Sequence, residues 1–484
     1  MDKQNLHDMT KGNPLSLLWK FSLPMLVGNI FQQLYSMVDS IVLGKYVGSD
    51  AVGAVGVTGS ISFLFFSLTM GLAIGIGIIV SQYFGAGDID NLKKTIATSI
   101  YVIVISSVIM GLIMTFFARS MLKLLNTPDV QLNDATIYLQ ITGIGMLVVG
   151  IYNGISSIIR SLGDAKTPLI FLCVACVVNI ILDLVFVIMF NMGVMGVAYG
   201  TIISQAVAGI GCCIYAYIKI PVFRMPLKEY RVNKHILNQS LALGIPVALQ
   251  NSFIAISCIA LQWVVNDFGA VIVNAFAAVG RIEQIVQQPF NSLGAAVSTY
   301  TGQNMGIGDK ERIKKGFWAA TKLNIIFCII IVPLFWIFGP AIMTLFTNVN
   351  DPNYAQVIAQ GALGLKITSL FYVLLGMIYV TRSVLNGAGD VKFSLVSGIV
   401  EVVGRLGFAK PLTLIPFIGM LSIWYTTGLT WTITGIIGCW RYFSGAWQTK
   451  GIIEHPKGEE LAEGYEEAMS ATQLPGGEML GNKD

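Results

Sequence analysis

Charge is scarce in this sequence. Only 12% of its 484 residues are Asp, Glu, Lys or Arg, against 55% hydrophobic residues, a balance that no soluble globular domain shows. Histidine is scarcer still. His7, His235 and His455 all lie outside the long apolar runs, which excludes a histidine proton relay inside a membrane. The signatures of nucleotide and hydrolytic chemistry are missing: there is no GxxxxGK[ST], no HExxH and no GxSxG. Gly85-Ala86-Gly87-Asp88 is glycine-rich but lacks the Lys-Ser/Thr of a phosphate loop, so it reads as a turn between helices. ATP hydrolysis is therefore not expected, nor an enzyme or a cofactor, and any work must draw on an ion gradient. The seven cysteines all fall in apolar runs. Cys173 and Cys176 have CxxC spacing, but without a second pair or a nearby histidine they read as packing.

What remains is a polytopic membrane protein with a mean hydropathy of +0.72. Residues 1–13 are polar and the first apolar run is too long for a signal h-region, so no cleavable leader is expected. A spanning helix needs about 20 apolar residues. Twelve segments qualify, near 15–45, 53–83, 95–122, 132–162, 167–190, 195–220, 240–266, 275–305, 317–346, 355–386, 391–411 and 416–443. The expected fold class is all-α integral membrane. The layout is an N-terminus (1–14), an N-lobe (15–220), a basic linker (221–239), a C-lobe (240–443) and a Glu-rich tail (444–484). With a cytoplasmic N-terminus, 22 of the 30 Lys and Arg fall on the cytoplasmic side, Arg382 among them. That bias predicts both termini on the cytoplasmic side, and the expected location is the plasma membrane, as a multi-pass protein.

The halves repeat one another. Gln82–Asp88 (QYFGAGD) with Lys93-Lys94 matches Gln303–Asp309 (QNMGIGD) with Lys314-Lys315. Pro24 and Asn29 match Pro246 and Asn251, and Gly163-Asp164 with Lys166 matches Gly389-Asp390 with Lys392. Six helices repeated in one orientation predict two lobes related by an axis along the membrane normal, with the site near mid-membrane.

Polar groups at membrane depth are the candidate site. An Asp at a helix centre costs roughly 2.5–3.5 kcal/mol on insertion scales, so it usually faces a cavity or a partner. Asp39 is such a residue, and Gln32, Tyr35 and Asp39 share one helical face. Asn179 and Asp183 share a face of the fifth helix, Thr201 lies in the sixth and Asn153 in the fourth. Two carboxylates with amide and hydroxyl oxygens suit either a bound Na⁺ or a shared proton. In the second half Arg281 and Glu283 begin the eighth helix, followed by Gln287, and these are further candidates for a cleft lining. Glu401 and Arg405, at i and i+4, are expected to form a structural ion pair.

These features together resemble the multidrug and toxic-compound extrusion (MATE) family of secondary transporters. The resemblance rests on LYSMVDSIVLGKYVG in the first helix, the QYFGAGD and RSLGDAKTP turns and their second-half counterparts, and covers about residues 12–445. It implies a V-shaped pair of six-helix lobes around a central cleft. In the branch most similar, the coupling cation binds in the N-lobe, at positions that here are Asp39, Tyr35, Asn179, Asp183 and Thr201. The proline at which the first helix is proposed to bend corresponds to Pro24, and Gln32 and Asn153 match cleft-lining positions. Another branch places a carboxylate on the tenth helix; residues 355–386 here contain none. The resemblance implies export of amphipathic, often cationic small molecules by H⁺ or Na⁺ antiport through alternating access, by a monomer whose partners are drugs or toxic metabolites and the bilayer, with no nucleic acid. Two alternatives are a lipid-linked oligosaccharide flippase of the same superfamily, which would want a strongly basic cavity, and a membrane-embedded lipid-modifying enzyme, which would need an acid/base cluster at a membrane face.

Overall fold

The computed structural model describes residues 8–347, 352–416 and 418–453. His7, His455 and the Glu-rich stretch from residue 454 onward lie outside the described residues. Among the described residues the chain forms thirteen α-helices and no strand. The first lobe holds α1 (Pro14–Tyr46), α2 (Ser49–Ala86), α3 (Ile89–Leu124), α4 (Asp129–Ser161), α5 (Lys166–Leu184) and α6 (Gly193–Lys219). The second holds α7 (Lys234–Asn266), α8 (Ala270–Gly306), α9 (Lys310–Thr344), α10 (Tyr354–Ser369), α11 (Tyr372–Ala388), α12 (Val391–Thr413) and α13 (Ser422–Phe443). Among the described residues eight helices are long and apolar enough to cross a membrane, and α10 and α11, bent by 51° at their break, together make a ninth such span; with α8, α12 and α13 the layout is the expected twelve. No Pro or Gly lies between Lys366 and Leu375, so sequence gave no sign of that break. α8 starts at Ala270, several turns before Arg281 and Glu283, which therefore lie inside the helix rather than at its beginning.

The repeat is visible in how the helices begin. Asp88 Oδ1 accepts from Asn91 N at 3.0 Å and caps α3; Asp309 Oδ1 accepts from Arg312 N at 2.8 Å and caps α9. Each cap follows a glycine in the left-handed region, Gly87 at φ 71° and Gly308 at φ 74°, a conformation that costs a side-chain-bearing residue strain.

The lobes meet along α2, which packs on α7 and α8, and along α1, which packs on α8. Glycine permits the approach. A methyl group at Gly71 would fall 2.4 Å from Ala248 Cα, and one at Gly75 2.5 Å from Gly244 N. At the end marked by the two glycine-rich turns, the repeat-related glutamines cross between lobes. Gln82 Nε2 donates to Gly387 O at 2.9 Å and its Oε1 accepts from Ile452 N at 2.9 Å. Gln303 Nε2 donates to Ser161 O at 3.1 Å and its Oε1 accepts from Met9 N at 2.8 Å. Each glutamine thus ties a helix end of the other lobe and a terminal segment of the chain. Toward the opposite end the lobes part: Ser60 and Leu64, on the α2 face that carries Gly71 and Gly75, are exposed, as is Ile259 farther along α7. The cleft therefore opens away from the glycine-rich turns.

Candidate functional site

Asp39 on α1 and Asp183 on α5 face each other within hydrogen-bonding range in the interior of the first lobe. Their helices pack directly together, which brings the polar stripe of α1 onto that of α5. Asp183 is fully buried and Asn179, one turn before it, is 1% exposed. Asn179 Nδ2 donates to Asp183 Oδ1 at 3.5 Å. Three oxygens converge there buried and without a hydrogen-bond donor: Asp39 Oδ1, Asp183 Oδ2 and Asn179 Oδ1. Thr201 on α6 gives its hydroxyl proton to Val197 O at 3.0 Å, within its own helix. Neither carboxylate makes an ion pair; the three pairs among the described residues lie elsewhere. Two carboxyls this close, without a basic neighbour, need a proton or a metal cation between them. The donor set, all oxygen, fits a hard monovalent cation or a proton and not a thiolate- or imidazole-binding metal.

Three more residues belong to this constellation and carried no sequence signal. Gly200 lies flat against Asp183, so that a methyl group there would sit 2.3 Å from Asp183 Oδ1. Tyr138 on α4 faces Asp39, Tyr35 and Asp183. Gln205 on α6 reaches Tyr35, as does Gln32, the latter exposed on α1. Only helix-to-helix rotation reveals these, because none is charged. Asn153 is half-buried and spends its amide on Val149 O at 3.0 Å, within its own helix. Pro24 sits inside α1, which runs helical through it; the missing N–H leaves the Lys20 carbonyl without its in-helix donor and makes this turn the weak point of the helix.

The second lobe departs from expectation. Glu401 does not pair with Arg405. It accepts from Arg382 Nη2 at 2.7 Å, across the α11–α12 contact, while Arg405 Nη1 lies 2.6 Å from Cys258 Sγ on α7. The i,i+4 spacing puts Glu401 and Arg405 on one face of α12, but long side chains reach whichever helix stands opposite. Arg382 is correspondingly not a surface charge of the cytoplasmic side. Only 14% of its side chain is exposed, and it also donates to Ser397 Oγ at 2.9 Å. Gln250, with its amide oxygen turned toward the guanidinium, accepts from Arg382 Nε at 2.7 Å. Gln287 Oε1 accepts from Tyr379 OH at 3.2 Å, and Arg281 is exposed. Glu283 is half-buried, with Thr368 within reach and Arg405 as the charged group facing it.

Two repeated helical lobes around a cleft, with an ionisable centre buried inside one of them, define a polytopic membrane transporter. The MatE family model matches residues 24–185 and 246–409, one match in each lobe, and the chain belongs to that family. It is 32% identical to the probable multidrug resistance protein YpnP of Bacillus subtilis (strain 168), over 92% of this chain and 99% of that protein. It is 24% identical to the multidrug export protein MepA of Staphylococcus saprophyticus, over 90% of this chain and 93% of that protein. Among solved structures, a crystal structure of MATE in the bent conformation superimposes with a TM-score of 0.85 at 22% identity, over 93% of this chain and 99% of that one, a likeness of fold.

Proposed function

We propose that this transporter exports amphipathic, often cationic small molecules in exchange for H⁺ or Na⁺, from a plasma membrane in which both termini are cytoplasmic. The observation that carries the reading is the pair of half-buried Asp39 and fully buried Asp183, without a basic partner and beside Asn179; Thr201 is the proposed fourth member. Loading by a cation or proton cancels one of the pair's two negative charges. α1 then bends at Pro24, which narrows the first-lobe side of the cleft and expels the drug. Drug and cation thereby compete, and the competition is reciprocal by linkage. With the glycine-rich turns on the cytoplasmic side, the cleft described above opens outward, the release state of an exporter. Gln32, Asn153, Arg281, Glu283 and Gln287 are proposed cleft residues. The relatives named for multidrug resistance and multidrug export support the drug-efflux reading over the flippase and the lipid enzyme.

The test is transport in proteoliposomes with pH and Na⁺ gradients imposed independently. Uptake of a fluorescent cationic drug should follow one of the two gradients and collapse when it is removed. Drug movement indifferent to both would overturn the antiport reading.

A further inference from the structure

The two lobes each carry two carboxylates at membrane depth, but they neutralise them differently. In the first lobe Asp39 and Asp183 have no guanidinium or ammonium beside them. In the second, Glu401 is held by Arg382 at 2.7 Å, and Arg405 is the charged group that faces Glu283. One lobe has an unbalanced interior; the other balances its charges with its own side chains.

The internal repeat shows what Arg405 has replaced. Gly163-Asp164-Ala165-Lys166 opens α5 and Gly389-Asp390-Val391-Lys392 opens α12. Counted from these turns, Asn179 and Arg405 occupy the same position, each thirteen residues past the lysine. The neighbouring helices match too: α5 packs on α1 as α12 packs on α7, and Pro24 of α1 corresponds to Pro246 of α7. A guanidinium thus stands where the first lobe presents an amide to its carboxylates. Arg405 is 7% exposed, and its Nε has no acceptor. Glu283 Oε1, Thr368 Oγ1 and Tyr372 OH are likewise buried without hydrogen-bond partners. Thr368 and Tyr372 flank the break between α10 and α11, a break that the intact α4 of the first lobe lacks.

We propose that Arg405 is a tethered cation, fixed in the second lobe at the position that in the first serves an exchangeable one, and that it confines ion exchange to a single lobe. A guanidinium cannot lose its proton in a protein, so the charge it supplies neither leaves nor titrates. Held by a covalent stem between Glu283 and Cys258, it gives the second lobe a permanent version of the loaded state. The proposal rests on Asp39 and Asp183 being the exchanging site, and the experiment separates the two.

The measurement is ²²Na⁺ bound per molecule in nanodiscs at neutral pH, with protons taken up on acidification counted in parallel. The parent for comparison is Asp39→Asn/Asp183→Asn. If that parent still exchanges the full complement of cations, the first-lobe reading fails, whatever Arg405 does. Adding Arg405→Asn restores the amide found at Asn179 and leaves Glu283 unbalanced, so the triple variant should gain one exchangeable Na⁺ or proton per molecule. Adding Arg405→Lys instead keeps a fixed charge and should gain none. A folded Arg405→Asn triple variant with no added cation would overturn the proposal. Should Arg405→Asn prevent folding, combining it with Glu283→Gln balances the charge again. Folded yield should then recover without any gain in cation binding, and a charge-balanced variant as poorly folded as Arg405→Asn alone would likewise overturn it.

Discussion

The Arg382 guanidinium donates to the Glu401 carboxylate at 2.7 Å, joining α11 to α12 in a part of the second lobe where both side chains are largely shielded. Breaking a buried pair by removing one partner leaves an uncompensated charge, at a cost of about 3–5 kcal/mol, whereas replacing both is often neutral. Arg382→Met should therefore lower folded yield and the unfolding temperature in detergent, and Arg382→Met/Glu401→Gln should recover most of the loss. A double variant as unstable as Arg382→Met would show that packing of Arg382, not its charge, is what counts.

The first-lobe pair makes the opposite prediction, since its members need a mobile partner. Asp39→Asn imitates permanent neutralisation of one carboxylate. It should yield folded protein that still binds drug but no longer couples transport to the gradient. Asp183→Asn should behave alike, and the double variant should be little worse than either single, as expected for residues acting as a unit. Gradient-driven uptake per folded molecule decides; a normal coupling ratio in Asp39→Asn would return that residue to a packing role.

Gly200 offers a separate handle on the same site. A methyl group there would lie 2.3 Å from Asp183 Oδ1, so Gly200→Ala must push the carboxylate aside. Residues that orient ligands typically cost 10- to 100-fold in metal affinity when changed, and a loss of about that size in apparent cation affinity is expected. Gly59→Ala, where nothing lies within 4 Å, is the control and should leave affinity unchanged.

At the closed end, a methyl group on Gly85 would fall 2.1 Å from Gln303 O, a backbone atom that cannot step aside. Gly85→Ala should loosen the crossing of Gln82 and Gln303. The amides of Met9 and Ile452, which those glutamines accept, should then exchange hydrogen about tenfold faster, equivalent to ~1.4 kcal/mol. Unchanged protection at both amides would mean that the two glutamines follow the closure without holding it.

Sidedness is checked by cysteine labelling in intact cells. A cysteine at Asn133, exposed at the start of α4, should react with an impermeant reagent from outside, and cysteines at Asp88 or Asp309 should not. Outside labelling at Asp309 would reverse the proposed orientation.

Much of this protein was legible in one dimension. Insertion energy is local, so the scarcity of charge and the length of the apolar runs sufficed to give a helical membrane protein. A duplicated turn is a string of residues, so QYFGAGD and QNMGIGD were enough to reveal two lobes. A carboxylate without a nearby basic residue stands out along the chain, and Asp39 and Asp183 did so before their approach was visible. What sequence could not decide was the choice of partner between helices. Spacing fixes which residues share a face, but not how far one helix is rotated or shifted against the next, and a long side chain commits to whatever stands opposite. That is why Glu401 meets Arg382 rather than Arg405, why Gly200 and Tyr138 join the carboxylates unannounced, and why Arg382 turned out to be interior. The break at Ser369–Tyr372 belongs to the same class, since it contains neither Pro nor Gly and shows only in the folded span.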